Sequence, residues 1–228
     1  MFFFDPMYFL FAAPALLVMF WAQMKVRSAY SKYSKMANMR GATGLEVART
    51  LVRAFSLDVK IEEHPGKLTD HYDPRHKTLR FSRDIYNTPS VASMGIVAHE
   101  VGHALQDHYG YFPMKVRSAL VPVANIGTYV GYVFFILGII IGLSGLVWVG
   151  VVLFSGAVAF SLVTLPVELD ASRRAKQMLT TAGIVSVEEA KGVNAVLSAA
   201  ALTYVAALLQ AVTTLMYYVF VAMNSQRR

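Results

Sequence analysis

The stretch VAHEVGHALQ, Val97 to Gln106, places two histidines and a glutamate within five residues. On an α-helix His99 and His103 are four residues apart, so both imidazoles project from one face and can bind one cation. Glu100 lies about 100° round that helix, where its carboxylate can accept a proton from an attacking water without being a ligand. Two neutral imidazoles at about 2.0–2.1 Å, a third oxygen or nitrogen donor and one open position describe a catalytic zinc site. Zinc so held polarises a carbonyl and acidifies water, with the neighbouring carboxylate as base. The plainer reading puts the same residues on the wet side of an amphipathic helix. The chain has no cysteine, so thiolate ligands, disulfides and cysteine nucleophiles are excluded. Any metal must be held by His, Asp, Glu or backbone oxygen.

The elements that position these residues belong to a membrane-like chain. Of 228 residues 56% are hydrophobic and only 15% charged, with mean hydropathy +0.47, outside the range of an ordinary soluble domain. The first basic residue is Lys25, so Met7 to Met24 reads as a retained anchor rather than a cleaved signal, with Pro14 as a kink and Trp21 at an interface. Ser118 to Val167 holds no charge over 50 residues, too long for one crossing of about 20. Gly142-Leu-Ser-Gly145 divides it into a hairpin, Ala119–Ile141 and Leu146–Val167. Ala195–Met223 supplies a fourth span.

The net charge of +7 is distributed as a topology signal rather than as a nucleic-acid patch. Fifteen of 21 Lys and Arg lie between Lys25 and Arg117, four more lie between the third and fourth spans, and the hairpin tip has none. Both polar regions are therefore expected in the cytoplasm. Arg227 and Arg228 run against that orientation. The division expected is an anchor (1–24), a cytoplasmic region with the HEVGH helix (25–117), a transmembrane hairpin (118–167), a cytoplasmic segment (168–194), and a last span with the C-terminus (195–228).

Within 25–117, Thr43-Gly-Leu-Glu46 is a capping box opening a helix that ends near Phe55. DVKIEE, GKLTDHY and KTLRFS, separated by His64-Pro65-Gly66 and Asp73-Pro74-Arg75-His76, read as an antiparallel meander. Ser90 caps a helix over Val91–His108, stopped near Gly110 and Pro113, and HEVGH lies inside it. Two crossings return the chain to the side it left, so Glu168 in LPVELDASRRA can meet the histidines as third ligand. Asp170, two residues on, is the rival, and the alternative for it is a solvated acid among Arg173 and Arg174.

These segments together resemble a known family, the YugP-type neutral zinc metallopeptidases of bacterial membranes. The resemblance rests on TGLEVAR (Thr43–Arg49), LTDHYDPR (Leu68–Arg75), VAHEVGHALQ, ELDASRRA (Glu168–Ala175) and AAALTYVAALL (Ala199–Leu209), and covers nearly the whole chain. More distantly the chain is similar to the HtpX and Ste24-like membrane proteases. The resemblance implies a gluzincin-like site with one Zn2+ per chain: His99, His103 and Glu168 as ligands, Glu100 as base. The distant relatives usually carry Asp four residues after the ligand Glu, where this chain has Ser172. A serine can hydrogen-bond a ligand imidazole but adds no negative charge.

Other features carry two readings each. KTLRFSRD is expected as an exposed edge strand that holds substrate by main-chain pairing, or as plain sheet. His71, Asp73 and His76 form a second possible metal cluster, though turn chemistry explains Asp73 and Pro74. Tyr72, His71, His76 and Tyr204 are candidates to stabilise an oxyanion, and the sequence does not choose. Gly127, Gly131, Gly138, Gly142 and Gly145 form one face, for packing within the hairpin or for a homo-oligomer seam. KVRSAYSKYSKMANMR is a positive flank that attracts anionic membrane lipid.

The reading is a mainly α, multi-pass helical membrane protein of about four spans, with a small cytoplasmic zincin-like α+β region carrying HExxH on a helix. Its expected function is a zinc endopeptidase of the bacterial cytoplasmic membrane, cutting membrane-associated protein or peptide at the cytoplasmic face. Membrane lipids, and a homo-oligomer or membrane-protein partner, are the other partners expected, and nucleic acid is not. The alternatives are an intramembrane protease and a non-catalytic, zinc-stabilised scaffold or chaperone partner.

Overall fold

The structure is a computed structural model and describes residues 6–225, so Arg227 and Arg228 lie outside the described residues. In chain order the elements are α1 (Pro6–Tyr33), α2 (Gly44–Ala54), β1 (Lys60–His64), β2 (His71–Asp73), β3 (Thr78–Ser82), α3 (Arg83–Asn87), α4 (Val91–His108), α5 (Phe112–Ile140), α6 (Ser144–Thr181) and α7 (Val187–Ser225). The fold is mainly helical, and α1, α5, α6 and α7 are long and apolar enough to cross a membrane. They run beyond the expected spans, so Glu168 stands on the same continuous helix as the third apolar stretch.

The chain divides into two compact units. One comprises the residues up to Trp21, Phe112–Pro166, and those from Thr203. In it α5 packs on α6 through glycine. A Cβ at Gly127 would stand 2.3 Å from the Leu153 carbonyl oxygen, one at Gly138 2.6 Å from the Val147 nitrogen, and one at Gly150 2.6 Å from the Phe135 nitrogen. That backbone approach is possible only without side chains. The face carrying Gly127, Gly131 and Gly138 is thus occupied within the hairpin. Gly142 and Gly145 meet nothing within 4 Å, and Gly142 turns the chain at φ +70°. Tyr218 stacks on Phe135 at 3.8 Å between centroids, among Val147, Val151 and Phe154.

The other unit, Ala22–Tyr111 and Val167–Leu202, contains α2, the sheet, α4 and the polar end of α6. Thr43 and Glu46 form the expected reciprocal cap of α2, which buries Val47, Ala48 and Leu51. Ser90 caps α4 by accepting from the Ser93 N–H.

The sheet differs from the meander expected. Its order is β1-β3-β2, with β1 parallel to β3 and β2 antiparallel to it. Asp73 builds the β2–β3 turn by accepting from the Arg75 N–H and pairing with His76. The connection from β1 contains Gly66 (φ +110°) and Leu68 (φ 54°) and is longer than a tight hairpin. Asp70 fixes its end by accepting from the N–H and hydroxyl of Ser82, at the far end of β3. The chain therefore passes β3's place and returns into it, and β3 becomes the central strand. This corrects the expectation that KTLRFSRD is an exposed edge. Arg80 on β3 ties the sheet together, reaching Glu62 on β1 and Asp73 on β2. Arg83 and Asp84, expected at the end of the strand KTLRFSRD, instead begin the short helix α3.

With 14 of its 18 residues buried, α4 is a core helix and not an amphipathic one. Gly95 faces Val193 of α7, and Gly102, the second variable residue of HEVGH, faces α6. A Cβ at Gly102 would lie 2.7 Å from the Ala171 carbonyl oxygen, a backbone contact that cannot yield as a flexible side chain would. Gly102→Ala should therefore force α4 and α6 apart and cost about 1–3 kcal/mol. Thermal unfolding in detergent checks this against Gly145→Ala, where the space is open and no loss is expected.

Candidate metal centre

The contact at Gly102 brings residues 69 apart in sequence into one cluster. His99 Nε2 lies 3.1 Å, and His103 Nε2 3.5 Å, from Glu168 Oε2. One donor atom from each of the three residues falls within 4.8 Å of the others. The two rings stand nearly perpendicular, at 83°. Glu168 is 1% exposed and His103 7%. A carboxylate and two imidazoles withdrawn from water in this way call for a cation among them. Nothing else among the described residues forms such a group of three: Asp73 is taken up by Arg80, His76 and its own turn, and His71 Nδ1 bonds the Thr69 carbonyl.

The outward nitrogens decide whether the inward ones have lone pairs to offer. Gln106, fully buried, places its Nε2 2.8 Å from the Val167 carbonyl and 2.9 Å from Asp170 Oδ2. Both are acceptors, so that atom is the NH2 group, and Oε1 is the atom 3.0 Å from His103 Nδ1. His103 Nδ1 must then carry the hydrogen, and a neutral ring leaves Nε2 unprotonated and directed at Glu168. Ser172 Oγ stands 3.2 Å from His99 Nδ1 and can accept from it in the same manner. The donor set is two imidazole Nε2 atoms and one carboxylate, which fits zinc with room for a further ligand.

Asp170 is placed differently from its rival role as a ligand. It is turned from the cluster to accept from Gln106, Arg173 and Arg174, with Arg174 Nε at 2.5 Å. Its side chain is 8% exposed, so it is not a solvated acid either. Those donors outweigh the burial and hold its carboxyl below the usual range.

Glu100 sits beside the cluster. Its Oε2 accepts from the Tyr72 N–H at 3.0 Å, which fixes the carboxylate against strand β2. Burial, with Glu168 and Asp70 adding to it against the opposing effect of His99, pushes it from the ordinary 4.5 up to about 7. A bound cation would draw it back down. The Tyr72 hydroxyl donates to Asp107, so its proton is already committed. His76 is exposed and paired with Asp73. Tyr204 lies on α7.

Gln106, the Tyr72 N–H and the true place of Asp170 were missed by sequence reasoning. Gln106 was open to discovery, since a residue three beyond His103 lies on the same helical face. The Tyr72 contact depends on the register of β2 and left no signal. Gln106→Leu, close in size but unable to hydrogen-bond, should weaken zinc binding roughly 10- to 100-fold. Competition with a chromophoric chelator measures this, and unchanged affinity would show that the ring needs no such support.

Comparison with known proteins bears on the same residues. The family described as "Putative neutral zinc metallopeptidase" matches residues 8–223. The chain is 43% identical over 222 residues to "Putative membrane protease YugP" of Bacillus subtilis (strain 168), covering 96% of this chain and 99% of that protein. No solved structure matches. Four apolar helices and a membrane-protease relative make this a membrane protein, and zinc is the metal that family and donor set share. With a match over nearly its full length, the chain belongs to the neutral zinc metallopeptidase family.

Proposed function

We propose that the protein is a gluzincin-like endopeptidase that hydrolyses peptide bonds of membrane or membrane-proximal proteins at the cytoplasmic surface. In this reading His99, His103 and Glu168 are the zinc ligands and Glu100 is the general base. The convergence of two imidazoles and a buried carboxylate beside a second, separately held carboxylate carries it. Zinc bound there would polarise the scissile carbonyl and acidify the attacking water.

The rest falls to the chain's own groups. With Oε2 of Glu100 held by Tyr72, Oε1 has no hydrogen-bond partner among the described residues and can take the water's proton. As the C–N bond breaks, the same oxygen delivers that proton to the leaving amine, so the carboxylate is regenerated and water is the only co-reactant. Gln106 and Ser172 keep the two ligand rings from turning.

A surface site is favoured over an intramembrane one because α4 is not among the helices apolar and long enough to cross a membrane. Glu168 directly follows the 50-residue uncharged run, which supports a place close to the headgroups. The basic residues concentrated in 25–117 support the cytoplasmic side. A scaffold that kept zinc only for stability would close all four positions and would have no use for the Oε1 of Glu100.

The decisive experiment is cleavage of membrane-protein substrates together with zinc content, in wild type, Glu100→Gln and Glu168→Ala. Glu100→Gln should retain zinc and lose at least a hundredfold in kcat. Glu168→Ala should lose both metal and cleavage, and equal activity in all three would sink the assignment. Sidedness is read separately by a cysteine at the exposed Lys67. Lys67→Cys should react with a membrane-impermeant maleimide on inverted vesicles and not on intact cells; the reverse would place the site outside.

A further inference from the structure

A cleft of about 430 Å³, not lined by His99, His103 or Glu168, lies in the second unit where the end of α2 meets α4 and α6. Its wall combines the apolar side chains of Phe55, Leu105 and Met178 with the guanidiniums of Arg173 and Arg174 and the amide of Gln177, and it contains no carboxylate. Behind the arginines stands Asp170, and each meets it through a single nitrogen, Arg173 by Nη2 and Arg174 by Nε. One carboxylate thus faces two guanidiniums, which leaves a net positive charge at the cleft. A guanidinium has five N–H donors, so four on each remain beyond the one given to Asp170. Arg174 is further steadied over the ring of Tyr111, 5.6 Å from its centroid.

We propose that this cleft binds a phosphate ester carrying an apolar substituent. Two guanidiniums offer more donors than one carboxylate accepts here, whereas the several oxygens of a phosphate suit them. The volume is in the range of sites for small organic ligands rather than of a bare ion. The apolar wall accounts for the remainder of the ligand. An anionic glycerophospholipid headgroup and a soluble phosphate ester share this chemistry. Neither depends on the peptidase reading, since no residue of the cleft ligates metal or moves a proton in it.

The test uses the zinc-loaded full-length protein in phosphatidylcholine nanodiscs, titrated with short-chain phosphatidylglycerol and, separately, with the soluble ester phenyl phosphate, followed by phosphorus NMR. Arg173 and Arg174 also neutralise Asp170, so the first variant leaves them intact: Gln177→Glu places a negative charge in the cleft at an exposed position. Arg173→Gln is the second, with Arg174 still on Asp170. Both should weaken binding about 10-fold or more, the worth of one charge-assisted hydrogen bond. Tighter binding of the phosphatidylglycerol identifies a lipid source, and tighter binding of phenyl phosphate a soluble ester; either supports the site. Equal affinity in wild type and Gln177→Glu, which would put the anion elsewhere such as on the metal, overturns it, as does binding of neither probe.

Discussion

The approach of α4 to α6 at Gly102 is the contact on which the site depends. Helix packing distances are set by the side chains between the axes, and here one side contributes only a hydrogen, so the Ala171 carbonyl sits where a Cβ would be. That closeness puts Glu168 against both histidines and Ser172 against His99. It also lets Gln106 span from His103 on its own helix to Val167 and Asp170 on the other. The clustered side chains and the groups that hold their outward atoms therefore share one interface. A displacement of α4 from α6 would disturb both at the same time.

The two glutamates show how environment separates roles. Glu168 faces imidazoles and is directed into the cluster. Glu100, one residue from His99, turns instead to a backbone N–H of strand β2, and burial raises its affinity for protons to near neutrality. Carboxylates pushed into such different surroundings are the usual mark of a division between binding and proton transfer. The sheet contributes here less as a layer of core than as the source of one N–H, and Asp70, which locks the crossover to β3, adds to the field at Glu100.

Much of this was legible in the sequence where local chemistry decides the outcome. The caps at Thr43 and Ser90, the length of α4 and the four apolar helices follow from capping preferences and hydropathy. The pairing of His99 with His103 follows from helical spacing, and Glu168, expected beside them, does cluster with them. Strand order was not legible, because the β1–β2 connection carries turn residues that suit a hairpin while the bond from Asp70 to Ser82 is a long-range one. Asp170 was ambiguous for a similar reason: its partners Arg173 and Arg174 are local, but Gln106 lies 64 residues away. The glycines had two readings until the backbone contacts of α5 with α6 placed Gly127 and Gly138 inside the hairpin.

X-ray absorption at the zinc edge of the purified protein reads which atoms surround the metal. One zinc per chain is expected, with a first shell of nitrogen and oxygen alone, about 2.0–2.1 Å away, and the outer-shell scattering of two imidazoles. In Glu100→Gln that spectrum should persist. A shell with one imidazole or none, or the same two-imidazole, carboxylate-containing shell in Glu168→Ala as in wild type, would contradict it.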